Sequence, residues 1–144
     1  MKNHRPGFSL IEVLVGLFLM AVAVLGLAQL FLTAVANNRN ADRAANAAFL
    51  ARQQIDLLRG LTSDELAAYA ASGLPGRDEI LDLNLDGTND FRRITTVAPA
   101  AGLTSFQIGV RVYSAEKLAA GAQALIDSPD LNRPRAFVST IITR

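Results

Sequence analysis

The side chains whose types and spacing could do chemistry lie in one polar segment, Asp82-Leu83-Asn84-Leu85-Asp86-Gly87-Thr88-Asn89-Asp90. Oxygen-bearing side chains occupy its first, third, fifth and ninth positions, and glycine occupies the sixth. In EF-hand-like loops alternate oxygens of this kind point inward, the glycine permits a sharp turn, and the seventh residue supplies a backbone carbonyl. The spacing therefore predicts a structural calcium site with ligands from Asp82, Asn84, Asp86, Thr88 and Asp90.

The same segment has a simpler interpretation as a polar hairpin turn built on Asp86-Gly87, which is a strong turn signal. The twelfth position of the loop, where calcium loops carry a bidentate acid, is Arg93. An acid from elsewhere, such as Asp78 or Glu79, would have to complete the ligand set. Both interpretations stay open at this point. A bound calcium ion would stabilise a domain that has no disulfide.

The composition removes most other kinds of chemistry. The chain has no cysteine and one histidine, His4, so a Ser-His-Asp relay, a Cys-His pair and a His-rich zinc site are not expected. The formal net charge is +1, so the composition gives no sign of the strongly basic surface that binds nucleic acid. The pair Arg92-Arg93 is expected to be solvated at a strand edge. These features point away from an enzyme and toward a membrane-anchored binding or structural protein.

A long apolar segment begins close to the N-terminus, directly after a short basic stretch. From Phe8 to Ala36 the only charged residue is Glu12, and about 20 apolar residues suffice to span a bilayer as a helix. Lys2 and Arg5 precede the segment, so the positive-inside rule keeps the N-terminus in the cytoplasm. A secretory signal peptide would have a shorter apolar core and a clear cleavage site. A membrane-spanning helix is therefore favoured.

The glutamate inside this apolar segment belongs to a specific motif. The residues Arg5-Pro6-Gly7-Phe8-Ser9-Leu10-Ile11-Glu12-Val13-Leu14 resemble the class III leader of type IV pilins and of type II secretion pseudopilins. The resemblance implies that a prepilin peptidase cleaves between Gly7 and Phe8, and that the new N-terminal Phe8 is N-methylated. It also implies that Glu12 faces the N-terminal amine of a neighbouring subunit. An ammonium partner would stabilise a carboxylate that lipid penalises.

The organisation predicted around these residues is one long helix followed by a small head. We expect a prepilin leader at 1–7, a transmembrane and filament-core helix at 8–36, the amphipathic half of the same helix at 37–60, and a β head at 61–144. The predicted fold is α+β and pilin-like, with the helix packed on a small antiparallel sheet. An apolar stripe is predicted at Ala41, Ala44, Ala48, Ala51, Ile55 and Leu58, although alanine-rich spacing also suits a coiled-coil arm.

Local signals divide the head into short elements. The segment Thr62-Ser63-Asp64-Glu65 is typical of a capping box and predicts a short helix to about Ser72. Strands are predicted near 80–83, at 91–97, at 106–112 and at 136–143, with a helical or loop insertion at 115–126. The side chains of Phe91, Phe106 and Phe137 are expected in the core.

The functions that this pattern favours are structural. A minor pilin most like the PilV type is preferred, on the stretch Ala23-Val24-Leu25-Gly26-Leu27-Ala28-Gln29-Leu30, with roles in pilus assembly, adhesion, twitching or DNA uptake. The alternatives are an I-type minor pseudopilin of type II secretion and a single-pass anchored domain that never polymerises. The implied partners are the prepilin peptidase, other pilins, the inner membrane and its assembly platform. The expected location is the bacterial inner membrane, with the C-terminus periplasmic, and then the pilus or cell surface.

Overall fold

A computed structural model describes residues 9–72, 77–100, 105–128 and 131–143. It contains the helices α1 (Leu10–Arg59), α2 (Ser63–Ala71) and α3 (Ala122–Asp127), a short 3-10 helix (Ala115–Lys117), and the strands β1 (Arg77–Leu81), β2 (Phe91–Pro99), β3 (Ser105–Ser114) and β4 (Ala136–Thr143). The strands form one antiparallel sheet in the order β1-β2-β3-β4. The predicted α+β fold, a long apolar helix with a small antiparallel sheet, is confirmed.

The chain divides into two compact units, the first ending at Ala41 and the second running from Asp42 to Arg144. In the first unit the large apolar side chains of α1 are exposed, and one 18-residue window has a mean hydropathy of 2.7 with none of it buried. Within the described residues, α1 is the one helix long and apolar enough to cross a membrane. An exposed apolar surface of this length needs lipid or other helices to cover it.

In the second unit, the end of α1 supplies one side of the hydrophobic core. Its buried residues are Ala47, Leu50, Ala51, Gln54, Ile55 and Leu58. The predicted stripe is confirmed at Ala51, Ile55 and Leu58, but it is wrong at Ala41 and Ala44, which are exposed. Alanine fits either face of a helix, so its spacing marks the buried face less surely than the spacing of larger apolar side chains.

The sheet supplies the other side of this core. Phe106, Ile108, Val110 and Val112 alternate along β3 and pack in the same cluster as the buried residues of α1. The predicted burial of Phe91 and Phe106 is confirmed. The prediction for Phe137 is wrong, because this side chain is 53% exposed on β4. It lies under the guanidinium of Arg111, 4.8 Å from the ring centroid, so an apolar side chain on the outer face of the sheet is partly covered by a cation.

The insertion between β3 and β4 covers part of the outer face of the sheet. It contains the 3-10 helix and α3, and Leu125 packs there against Ile94 and Tyr113 in a second small cluster. The hydroxyl of Tyr113 donates to the backbone carbonyl of Leu125 at 2.8 Å. A buried phenol thereby obtains a hydrogen-bond partner, and the insertion is fixed to the sheet.

The capping box predicted for α2 is present. The Glu65 carboxylate accepts hydrogen bonds from the backbone N–H of Thr62 at 2.7 Å and from the Thr62 hydroxyl at 2.9 Å, and Glu65 N–H donates back to that hydroxyl at 3.4 Å. The backbone hydrogen bond from Thr62, followed by that from its hydroxyl, lowers the pKa of Glu65 below its ordinary value. Ionised Glu65 therefore stabilises the start of α2.

The capping box predicts a pH dependence. Because the folded state lowers the pKa of Glu65, its contribution to stability is present above the unfolded-state pKa of about 4.3 and is lost as the pH falls. We expect Glu65→Gln to reduce the free energy of unfolding at pH 7 and to leave it nearly unchanged below the lowered pKa. Urea unfolding from pH 7 to pH 3 measures this difference, with exposed Glu116→Gln as the control. A difference that does not vary with pH would contradict the assignment.

Candidate functional site

The predicted calcium loop connects β1 to β2, and its first acid holds the backbone together. The two oxygens of Asp82 accept hydrogen bonds from the N–H groups of Leu85, at 2.7 Å, and Gly87, at 2.9 Å. At the other end, Asp90 Oδ2 accepts from Leu83 N–H at 3.1 Å, and Asp90 N–H donates to the carbonyl of Leu81 at 2.9 Å. These hydrogen bonds close the loop at the base of the hairpin.

A second set of local hydrogen bonds holds the middle of the loop. Asp86 Oδ1 accepts from the backbone N–H of Thr88 at 2.7 Å, and Asp86 Oδ2 accepts from the Asn84 amide at 2.8 Å. The hydroxyl of Thr88, followed by its backbone N–H, lowers the pKa of Asp86 below the ordinary aspartate value. The structure thus brings the predicted ligands into one loop, where backbone and side-chain donors already occupy their oxygens.

The acids that would complete a calcium site form ion pairs with arginines instead. Asp78 is paired with Arg92 and Glu79 with Arg93. Within the described parts of the chain, no three acidic, histidine or cysteine side chains are grouped so as to hold a metal ion. The turn interpretation is sufficient to explain the loop, and calcium binding stays a prediction on which nothing below depends.

The arginines beside this loop are the residues that sequence reasoning placed wrongly. The sequence predicts solvated side chains for Arg92 and Arg93, but they are only 6% and 8% exposed. Arg92 donates to both carboxylate oxygens of Asp78, at 2.8 and 2.7 Å, and its Nη1 donates to the carbonyls of Lys117, Leu118 and Ala120. Hydrogen bonding to Asp78 raises the pKa of Arg92. One buried guanidinium therefore joins β1, β2 and the insertion.

The fork geometry of Arg92 predicts that lysine cannot replace it. Lysine has no bidentate geometry, so Arg92→Lys leaves part of the hydrogen bonding to Asp78 and the insertion unmade. We expect a loss of about 2 kcal/mol in the free energy of unfolding. The matched control is Arg77→Lys, because the Arg77 side chain is 61% exposed and pairs with Glu79 at the surface, where about 0.5 kcal/mol is expected. Urea unfolding that gives equal losses for both variants would argue against a stabilising role for the buried hydrogen bonds of Arg92.

Leu85 at the loop tip has a backbone conformation that disfavours leucine. Its φ is +58°, and the side chain is 88% exposed, so it gains nothing from packing. Asparagine tolerates this left-handed region, and we expect Leu85→Asn to raise the free energy of unfolding by about 1 kcal/mol. Leu83→Asn is the control, because Leu83 lies in the same loop and is 38% exposed without a positive φ. A gain at both positions in thermal unfolding would trace the effect to surface polarity instead of backbone conformation.

A cleft of about 350 Å³ lies beside this loop, within the second unit. Its lining includes Arg43 and Asn46 of α1, Asn84 and Asp90 of the loop, and Glu116 of the 3-10 helix. Cationic, anionic and amide groups are mixed in the lining. The cleft therefore favours no single class of ligand.

The second candidate region is the start of the apolar helix. Gly7 and Phe8, the residues of the predicted cleavage and methylation, lie outside the described residues. Glu12 is exposed in the first turn of α1, where a carboxylate is favourable because the N-terminus of a helix carries partial positive charge. Its backbone N–H donates to the carbonyl of Ser9 at 3.0 Å. The carboxylate is presented on an apolar helical surface, with Ile11 and Val13 exposed beside it.

Comparison with known families addresses this same region. The family described as the prokaryotic N-terminal methylation motif matches residues 2–28. The chain carries a prokaryotic N-terminal methylation motif. This motif supports a type IV pilin-like or pseudopilin protein, processed by a prepilin peptidase and assembled with other pilins. Together with the exposed apolar helix, the methylation motif is consistent with anchoring in a membrane.

Two further comparisons add no relative. No curated protein and no solved structure matches the chain significantly. The methylation motif ends at residue 28, within the first unit, and does not extend to the second unit and its loop.

Proposed function

We propose that this chain is a minor type IV pilin of the PilV type, with a structural and not an enzymatic role. A prepilin peptidase would remove residues 1–7, and the mature subunit would remain in the inner membrane. The assembly platform would then transfer the subunit into a pilus. The observation that carries the proposal is the methylation motif at residues 2–28, continuous with an apolar helix. The assignment to the PilV type rests on the stretch from Ala23 to Leu30, which resembles the corresponding stretch of PilV-type minor pilins.

The exposed surface of α1 supports a role in assembly. Leucine, valine, isoleucine and phenylalanine side chains cover the first unit, and a fully buried side chain of this kind contributes about 1.5–3 kcal/mol. A bilayer buries this surface before assembly, and neighbouring helices bury it afterwards. Dispersion contacts among such helices give cohesion without direction, so a charged pair involving Glu12 would set the register between subunits.

Two departures from the usual main subunit favour a minor one. Many major pilins carry a proline at the twenty-second mature residue, which here is Gln29, and α1 continues there with Thr33 Oγ1 donating to the Gln29 carbonyl at 2.9 Å. Many major pilins also close a C-terminal loop with a disulfide, and this chain has no cysteine. Both features favour a subunit present in few copies over one that builds the whole fibre.

An I-type minor pseudopilin of type II secretion is the second candidate function. A short, cysteine-free head suits both kinds of subunit, and the leader is shared by both. Deletion of the gene in its native host separates them. Loss of twitching or surface pili supports the pilin proposal, whereas retention of secreted enzymes inside the envelope supports the pseudopilin.

The decisive test of the proposal is mass spectrometry on the protein taken from its native host. Intact mass and N-terminal peptides are expected to show loss of residues 1–7 and one added methyl group on Phe8. A chain that keeps Met1, or an unmethylated N-terminus elsewhere, would overturn the assembly proposal. A single-pass anchored domain that never polymerises would then remain.

A further inference from the structure

The outer edge of β4 lacks the usual protection of an edge strand. β4 is the last strand of the sheet, and in the parts of the chain that the structure describes no strand pairs with its outer edge. Proteins protect such an edge with charged residues, proline or a bulge, yet β4 (Ala136–Thr143) contains no charged residue and no proline. The Phe137 ring leans inward over β3, since it lies under Arg111 and close to Gly109. The backbone N–H and C=O groups along the outer edge are therefore open to an added strand.

A groove of about 330 Å³ lies between this edge and the last turns of α1. Its β4 lining consists of the consecutive residues Val138, Ser139 and Thr140. Consecutive side chains of a strand point to opposite faces of the sheet, so a groove that all three residues line reaches the backbone edge of β4. The α1 lining includes Arg52 and Ile55. The groove therefore has room for those side chains of an added strand that face α1.

The charges that line this groove favour an acidic visitor. Asp56 pairs with Arg59 at 3.5 Å, which occupies the one carboxylate of the lining. Arg52 is exposed in the same groove and makes no hydrogen bond or ion pair with any described residue. A carboxylate brought beside Arg52 would form a new ion pair, whereas a cation would be repelled.

The edge strands of a second copy of this chain do not supply that carboxylate. β4 is neutral. Asp78 and Glu79 of β1 are already paired with buried arginines. Two-fold pairing of β4 with β4 would also reverse the direction of α1 in one copy, so the apolar segments of the two copies could not enter the same membrane. The edge and its groove therefore fit a strand from a different protein.

We propose that β4 accepts an extended segment of another protein as a fifth strand, antiparallel to β4, with an acidic side chain of that segment beside Arg52. The side chains on the opposite face of the segment are apolar, because Phe137 and Ile141 are 53% and 65% exposed there and gain cross-strand partners. The antiparallel direction continues the sheet, in which every described strand pair is antiparallel. The partner segment thus alternates apolar residues with small polar ones around one aspartate or glutamate.

The first test measures the binding of a fluorescent peptide to the full chain in nanodiscs, by fluorescence anisotropy. In the probe peptide threonine alternates with valine, and aspartate replaces the central threonine. The matched peptide has asparagine at that position. The aspartate peptide is expected to bind about threefold more tightly, which is the usual effect of one exposed ion pair. Arg52→Gln should abolish this preference, whereas Arg77→Gln should keep it, because Arg77 is an exposed arginine on the opposite edge of the sheet.

The second test determines whether the peptide pairs with the backbone of β4. Bound peptide is expected to slow amide hydrogen exchange in β4 about tenfold and to leave exchange in β1 unchanged. Two further aspartate peptides carry N-methyl groups, one on its valines and the other on its remaining residues. The N–H groups of alternate residues point to the same edge of a strand, so one of these two peptides should lose binding and the other should keep it.

The outcomes separate strand addition from other uses of this edge. Equal affinity for the aspartate and asparagine peptides, protection of β1 in place of β4, or loss of binding by both or by neither N-methylated peptide would overturn the proposal. The chain has no cysteine, so Ser139→Cys chains in liposomes carry one thiol each. Efficient bis-maleimide cross-linking of these chains to one another would assign the edge to a second copy and would also overturn the proposal. Urea unfolding curves establish that each variant is folded. None of these results depends on cleavage of the leader, so these tests and the mass-spectrometric test can fail independently.

Discussion

Replacing Leu58 with alanine is expected to lower the free energy of unfolding of the second unit by about 2–5 kcal/mol. Leu58 is fully buried on α1 and packs in the cluster that contains Leu66, Phe106 and Val110. Its truncation removes apolar contacts and leaves a cavity that a close-packed core closes only in part. Native domains have only about 5–15 kcal/mol of stability, so this one change removes a large share of it.

The chain provides a matched control one residue away. Leu57 is on the same helix, has the same side chain and is 56% exposed, so Leu57→Ala should change the free energy of unfolding by less than about 0.5 kcal/mol. Tyrosine fluorescence reports this transition, because the chain has no tryptophan and both tyrosines, Tyr69 and Tyr113, lie in the second unit. Equal effects at Leu57 and Leu58 in urea unfolding would contradict the burial of this helix face.

The elements with strong local signals could be predicted from the sequence. The capping box begins α2 as expected, since its hydrogen bonds join residues three positions apart. The last strand has the predicted bounds, Ala136–Thr143, because it is rich in β-branched residues and contains no glycine or proline. The long helix α1 follows from the absence of proline over its whole length and from the apolar segment in its first half. In each case the information lies within one continuous segment of the chain.

What the sequence did not reveal depends on pairing between distant residues. Arg93 stands opposite Glu79 in the β1–β2 register, and Arg92 lies on the diagonal from Asp78, so both guanidinium groups are buried by acids fourteen positions away. Without that register, two adjacent arginines are typical of a solvated edge. Phe137 was misplaced for a related reason, because β4 alternates between the core and an outer face that the insertion does not fully cover.

The candidate calcium loop shows a different limit of sequence reasoning. A calcium loop and a closed polar turn both require oxygen side chains that point inward at alternate positions. In the structure, the oxygens of Asp82 and Asp86 face backbone N–H groups of the same loop. The sequence pattern is common to both outcomes, and the difference lies in whether a cation or these N–H groups occupy the space between the oxygens.

The second large effect is expected at Glu12, in the filament. If this chain assembles as proposed, the Glu12 carboxylate faces the ammonium group at the N-terminus of the next subunit, within apolar surroundings. Glu12→Gln keeps the shape of the side chain and removes its charge, which leaves that ammonium group without its counter-ion. Breaking a buried pair of this kind costs about 3–5 kcal/mol, which corresponds to roughly a hundredfold or more in an assembly equilibrium.

The measurement for Glu12 compares the subunit in sheared pili with the subunit in the inner membrane, by quantitative immunoblotting in the native host. Glu12→Gln is expected to be cleaved after Gly7 and to accumulate in the membrane, while its signal in the pili falls below detection. Val13→Leu is the control, because it changes an exposed apolar neighbour on the same helix without altering charge. Normal incorporation of Glu12→Gln would show that cohesion between apolar helices suffices without the ion pair. Failure of cleavage would place the role of Glu12 at the peptidase instead, so the processed fraction separates the two.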